Sequence, residues 1–312
     1  MKTTKSNKKA VAKTKKTEDA RNEIDSFRAV KDASKYGFSF QRILMFFCLF
    51  VPFIVIFLVY YKEIIIYSSQ AISMTLENNA SAESIDKIRT PAMLIFIFLV
   101  LAGLFQILFK GVVSDNAVHK NKKLGKSFSD VMPCYFNLIV GTIIAALLGF
   151  LLSLFTFVPA VGNIIYQISS FFIGLMLMFF IQSIVISKKS VFGSFADSFD
   201  IFASRPFEVI LFMIYVILFS ILLFVIASIP LLIFGFPIIS YLVMNAGNPD
   251  LNVLVNLITG NIASVAIGIV LSAFVVAYTI LFSESAKAYF YVQARKRNYH
   301  EKKIKKIVNK NS

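Results

Sequence analysis

Residues 138–158 read LIVGTIIAALLGFLLSLFTFV, without a single Asp, Glu, Lys or Arg. At about 1.5 Å per residue, an α-helix of that length crosses the roughly 30 Å hydrocarbon layer of a bilayer. A helix also closes its backbone hydrogen bonds within one segment, which a lipid-facing chain requires. Five more charge-free runs flank this one, at 43–61, 91–109, 164–186, 209–229 and 262–282. Over all 312 residues the chain is 57% hydrophobic with a mean hydropathy of +0.75. Soluble chains average about 45–50%, so a water-soluble globule is excluded. The expected fold is all-α: an integral membrane bundle of six transmembrane helices over residues 24–295, with interfacial amphipathic helices on the cytoplasmic side. Polar tails flank it: a disordered basic segment at 1–23, too poor in apolar groups to offset the entropy of ordering, and a second basic segment at 296–312.

The distribution of charge orients the bundle. The formal charge is +15, from 32 Lys and Arg against 17 Asp and Glu. Assigning alternate connections to alternate sides puts 29 of the 32 cations on one face. On the other face Lys62, Lys87 and Arg89 are outnumbered by Glu63, Glu77, Glu83, Asp86 and Asp250. Cations accumulate on the cytoplasmic side, so both termini are expected there, in the cytoplasmic membrane. The run from Leu231 to Met244 is too short to cross and is interrupted by Gly235 and Pro237. It is expected to extend the fifth crossing on the outer side. No cleavable leader is expected before residue 42, and Cys48 and Cys134, near cytoplasmic helix ends, are not expected to form a disulfide.

Aromatic spacing suggests helices lying along the bilayer surface. Leu124, Phe128, Val131 and Tyr135 recur at helical intervals, as do Phe192, Phe195, Phe199 and Phe202; Ile24, Phe27 and Val30 form a weaker third case. Each set precedes an inside-to-outside crossing, so the chain reads as three units of interfacial helix plus hairpin. Ser127, Phe128 and Asp130 match Ser194, Phe195 and Asp197, which either records an internal duplication or reflects helix starts favoured by Ser and Asp. The membrane-interface residues are thus Phe128, Tyr135, Phe192, Phe195, Phe199 and Phe202, and the partner they imply is anionic lipid headgroup at the cytoplasmic face. Nucleic acid is not expected, because no aromatics interleave the cations before Phe27.

Small residues repeat every four positions in two crossings: Gly141, Ala145, Gly149 and Ser153 in the third, and Gly260, Ser264, Gly268 and Ser272 at the sixth. Such stripes let another backbone approach closely, so both should face protein. Chemistry is harder to find. The crossings hold no ionisable group, and Glu284 is expected to form a surface pair with Lys287 three residues on. Gln106 and Gln182 are a possible polar path. His119 and His300 sit among cations with no carboxylate cluster, so neither a metal site nor a cofactor is expected. No phosphate loop, zinc-protease pattern or nucleophile elbow occurs, so no catalytic residue is assigned. A short outer helix is expected from Leu251, and Asn79 begins a glycosylation sequon. Near the end of the last helix, Tyr289 and Tyr291 are expected at headgroup level.

This layout, with the stretch SVFGSFADSFDIF from Ser190 to Phe202, resembles a loose superfamily of prokaryotic six-helix membrane proteins of unknown role. It includes the membrane domain attached to some glycerophosphodiester phosphodiesterases. The resemblance implies a non-catalytic helical membrane module, without the soluble phosphodiesterase barrel. Two functions remain open: a non-enzymatic protein binding lipid or a membrane partner, or a channel or permease for a small solute.

Overall fold

The computed structural model describes residues 25–77, 82–119, 122–159, 161–246 and 250–310. The tail expected at 1–23 and the sequon at Asn79 lie outside them. Thirteen α-helices make up the described residues: α1 (Ser26–Gly37), α2 (Phe40–Phe47), α3 (Val51–Glu77), α4 (Ala82–Val118), α5 (Leu124–Val131), α6 (Tyr135–Ser153), α7 (Gly162–Met176), α8 (Phe180–Ser187), α9 (Val191–Ser204), α10 (Pro206–Phe234), α11 (Phe236–Met244), α12 (Leu251–Gly260) and α13 (Ile262–Lys310). Among the described residues, five segments are long and apolar enough to cross a membrane: Arg89–Val118, Leu124–Phe157, Gly162–Ser187, Pro206–Phe234 and Ile262–Arg297. A sixth is the bent pair Phe40–Phe47 and Val51–Ile64, which meet at 48°. The chain is a multi-pass membrane protein and an all-α bundle.

Two crossings expected to be continuous are broken. The first bends between α2 and α3, where Pro52 occupies the second position of the new helix and its missing N–H is no loss. The fourth breaks over Leu177–Phe179, where the freed Phe179 N–H donates to Ser198 Oγ of α9 at 3.0 Å. A break inside the bundle is tolerable because that hydroxyl satisfies the released amide. The last crossing runs on as one helix to Lys310, far beyond 282 and through much of the expected basic tail. The segment after α10 turns at Gly235 into the short α11, and Asp250 caps α12 by accepting from Asn252 N–H at 2.8 Å.

The interior is concentrated at one end of the bundle. Val112, Val131, Leu138, Val185, Val209 and Phe290 are all fully buried there, and the Phe290 ring stacks on Phe212 at 4.5 Å and Phe179 at 5.4 Å. The surface helices α1, α5 and α9 cover this end together with most of the described cations, which makes it the basic end of the bundle. Toward the opposite end α6 parts from its neighbours, while a smaller cluster of Tyr61, Val255 and Ile258 holds α3 against α12. Ala146 through Leu151, six consecutive residues spanning more than a turn of α6, are all exposed, so no face of that helix meets protein there.

The three surface helices share a pattern. Each carries on its buried face a Ser followed by Phe: Ser26-Phe27, Ser127-Phe128 and Ser194-Phe195, and all three serines are buried. In the second and third, a lysine five residues before the serine binds an aspartate three residues after it, Lys122 to Asp130 at 2.6 Å and Lys189 to Asp197. The two cassettes lie 67 residues apart in every member and make the same ion pair. The α5 helix follows α4 and α9 follows α8, whereas α1 packs against α13, closing the ring between the two ends of the chain.

The small-residue stripes need correction. On α6, Gly141 is buried and a Cβ there would meet the Phe180 ring at 3.2 Å, but Gly149 is exposed with nothing within 4 Å. Ser153 donates only to the Phe150 carbonyl of its own helix, and Ala145 is half-buried. The stripe reaches protein only where the bundle converges. On α13, Gly268 lies against α10, where a Cβ would come within 3.2 Å of Pro230 O and of Phe234 Cβ, and Ser272 donates to Ala227 O at 2.6 Å. Ser264 is half-buried, and Gly260 belongs to α12, exposed with open space around it. An interruption of the helix at Asn261 takes Gly260 off the stripe.

Candidate functional site

Three helices that meet at the basic end, α4, α8 and α13, bring a polar group each to one buried junction. Gln182 is fully enclosed, and its Nε2 donates to Ser114 Oγ at 3.2 Å and to Glu284 Oε2 at 3.3 Å. Its Oε1 has no hydrogen-bond partner. Lys287 Nζ donates to the other Glu284 oxygen at 2.9 Å, and the Lys110 charge also acts on that carboxylate. The expected surface pair is therefore wrong in its setting: Glu284 is 3% exposed, because α4 and α8 close over the face of α13 that carries it. A buried carboxylate needs such partners, since desolvation penalises it severely when unpaired.

Around this junction the surface helices are tied down by charged groups. Asp197 of α9 accepts from Ser183 at 2.8 Å, Tyr291 at 2.6 Å and Lys189. Desolvation works to raise its carboxyl, but the bonds from Lys189, Tyr291 and Ser183 outweigh it and hold the group below the ordinary carboxylate range. Ser187 lies 2.5 Å from the Tyr291 hydroxyl and accepts from Arg295, so one chain of polar contacts links α8, α9 and α13. Tyr291, expected at headgroup level, is fully buried by this arrangement, whereas Tyr289 is half-buried.

The matching cassette sits on α4 and α5. Lys122 binds both Asp115 and Asp130, and Asn116 donates to Lys122 O at 2.7 Å and Ser127 Oγ at 3.2 Å. Burial pulls the Lys122 ammonium down, yet its bonds to the two aspartates hold it above the ordinary lysine range. Tyr36 of α1 donates to Asn116 Oδ1 at 2.7 Å, with Arg42 lying 3.8 Å over its ring. Burial pushes that phenol far above its usual value despite the Arg42 charge. His119 contacts Asp115 and is otherwise open to solvent.

The interface aromatics divide into two groups. Phe192 at 75% and Phe199 at 47% are exposed. Phe128 and Phe195 are half-buried, edge-on to Phe109 at 5.8 Å and beside Phe180 at 5.5 Å, and Tyr135 donates to Leu104 O at 3.0 Å. Phe202 is a core residue. The expectation fails for Phe202 because the buried face of α9 runs through Val191, Ser194, Ser198 and Ile201, which turns Phe202 inward. The same reasoning separates Val30, buried, from exposed Phe27; Ile24 lies outside the described residues.

Gln106 and Gln182 do not line one path. Gln182 bonds to Ser114, eight residues and about 12 Å along α4 from half-buried Gln106. Among the described residues no three His, Cys, Asp or Glu side chains gather to hold a metal ion, and Cys48 and Cys134 are free. The residues sequence reasoning overlooked are Asp115, Asn116, Ser183 and Lys188. The first three lie outside the Lys, Ser-Phe and Asp cassettes and touch them only through hydrogen bonds and ion pairs that the fold creates. Lys188 is the lone non-glycine residue with positive φ among the described residues, at 52°, a conformation that costs an L-residue about 1 kcal/mol. No protein-family model, curated protein or solved structure matches the chain.

Proposed function

We propose that the protein is a non-enzymatic module of the cytoplasmic membrane, with both termini in the cytoplasm, that binds anionic lipid at its basic end. The carrying observation is that exposed aromatics and exposed cations share that end: Phe192 and Phe199 project from α9, Lys188 precedes that helix, Lys123 caps α5 and Lys126 stands on it. Aromatic rings enter the boundary between headgroup and acyl chain, and each nearby Lys adds about 1 kcal/mol toward an anionic surface. The excess of cations on one side of the sequence supports the orientation. The resemblance to phosphodiesterase-linked membrane domains points the same way.

Full-length protein in nanodiscs tests this reading. Native mass spectrometry should find phosphatidylglycerol retained in preference to phosphatidylcholine, and equal retention of the two refutes lipid selectivity. Cysteines placed at residues 5 and 310 should both react with an impermeant reagent only from the cytoplasmic side. A channel or permease is the second reading, favoured by the unpartnered buried acceptor of Gln182. Solute or ion flux through reconstituted vesicles that is lost in Glu284→Gln would establish it over the first.

A further inference from the structure

We propose that Lys126 and Lys188 form a seat for the phosphate of an anionic phospholipid, in the notch between α5 and the α8–α9 connection. The proposal rests on the lipid-binding reading above and assigns it a place. Asp130, in the last turn of α5, is the hub. Lys122 binds its carboxylate, Lys126 lies one turn earlier on the same helical face, and the charges of Lys122, Lys126 and Lys188 all act on it. Lys188 reaches across from the end of α8, donating to the Asp130 backbone carbonyl at 2.9 Å, with its ammonium 3.7 Å from Cys134 Sγ.

Charge favours an anion here. Lys122, Lys126 and Lys188 act on Asp130, and Lys122 also pairs with Asp115, so three cations meet two carboxylates and one positive charge is in excess. Lys122 is consumed between the aspartates, whereas Lys123, Lys126 and Lys188 are exposed. The left-handed backbone at Lys188 is a place where glycine would sit without strain. A lysine there keeps an ammonium beside α5 at a backbone cost. An exposed lysine bonded to one carbonyl retains donors for a second acceptor.

The neighbourhood selects lipid over free phosphate. Immediately after Asp130, Met132 at 57% and Phe136 at 74% are exposed at the entry of α6 into its apolar run. A phosphodiester held by Lys126 and Lys188 would have its acyl chains directed along those side chains. Inorganic phosphate would gain nothing from them.

The test compares full-length wild type, Lys126→Gln and Lys126→Gln/Lys188→Gly in phosphatidylglycerol or phosphatidylcholine nanodiscs, by native mass spectrometry and thermal melting. Glycine at 188 relieves the left-handed strain, so the double variant should melt within a few degrees of wild type. Its phosphatidylglycerol affinity should fall by about five-fold per lysine removed, with phosphatidylcholine unaffected. Excess inorganic phosphate should not displace the lipid; displacement would make this a general anion site and overturn the lipid assignment. If the double variant fails to fold, Lys126→Gln alone decides, because that side chain is exposed. Wild-type phosphatidylglycerol retention in the variant would overturn the seat while leaving the broader reading intact. Absence of any lipid preference in wild type would instead bring down the broader reading.

Discussion

Asp197 gathers a serine, a tyrosine and a lysine from three separate segments onto one carboxylate, and so decides how α9 lies across the bundle. Replacing it with Asn removes the charge that these donors converge on, and should destabilise the protein by about 1–3 kcal/mol. The carboxyl is held below its ordinary range in the folded protein. Its stabilising contribution is therefore complete above the unfolded value near 4 and lost as pH falls through the lower folded value. Melting temperature in detergent should drop on acidification below about pH 4, and Asp197→Asn should flatten that part of the profile. At the central junction, Gln182→Leu leaves Glu284 buried with one donor fewer and Ser114 without its amide neighbour. A loss of about 1–3 kcal/mol is expected, read by denaturant titration; an unchanged midpoint would mean the junction contributes no stability.

Helix contacts separate two glycines that are alike in sequence. Gly268 sits where α13 crosses α10, close to the Pro230 carbonyl, while Gly149 has open space around it. Gly268→Leu should force the two helices apart and lower stability by about 1–3 kcal/mol. Gly149→Leu should be neutral or stabilising by up to about 1 kcal/mol, since leucine favours a helix more than glycine does. Thermal unfolding of the two variants side by side checks this, and an equal loss in both would refute the assigned packing. Gly260 falls outside this contact because Asn261 interrupts the helix before it can join the stripe.

At the scale of the whole molecule, the bundle is most fully buried at the basic end, and α6 leaves its neighbours toward the other. A nitroxide scan through residues 138–151 should reveal this directly. Oxygen accessibility should be low at Leu138 and Gly141, which are buried, and uniformly high, without helical periodicity, from 146 to 151. A 3.6-residue oscillation over that second segment would place another helix against it. Convergence follows from the chemistry of the sequence. Most polar residues that need partners in a low-dielectric interior lie near the basic end, and the far half of α6 carries side chains that lipid solvates as well as protein does.

The charge-free runs, the helical class and the aromatic periodicity were legible along the chain because each is a local property: length against bilayer thickness, and spacing against helical pitch. The Ser-Phe and Lys-to-Asp spacing was equally local, although only the shared ion pairs give it meaning. What the linear order did not carry was burial. Glu284 and Lys287 look like a surface pair on one helix, Tyr291 like an interfacial anchor and Phe202 like a lipid contact. Each becomes interior when helices from distant parts of the chain close over it. A helix presents several faces of similar composition in a chain this apolar, so hydrophobicity cannot say which face meets protein and which meets lipid. Hydrogen bonds such as Gln182 to Glu284, 102 residues apart, choose the face, and they exist only once the helices have met.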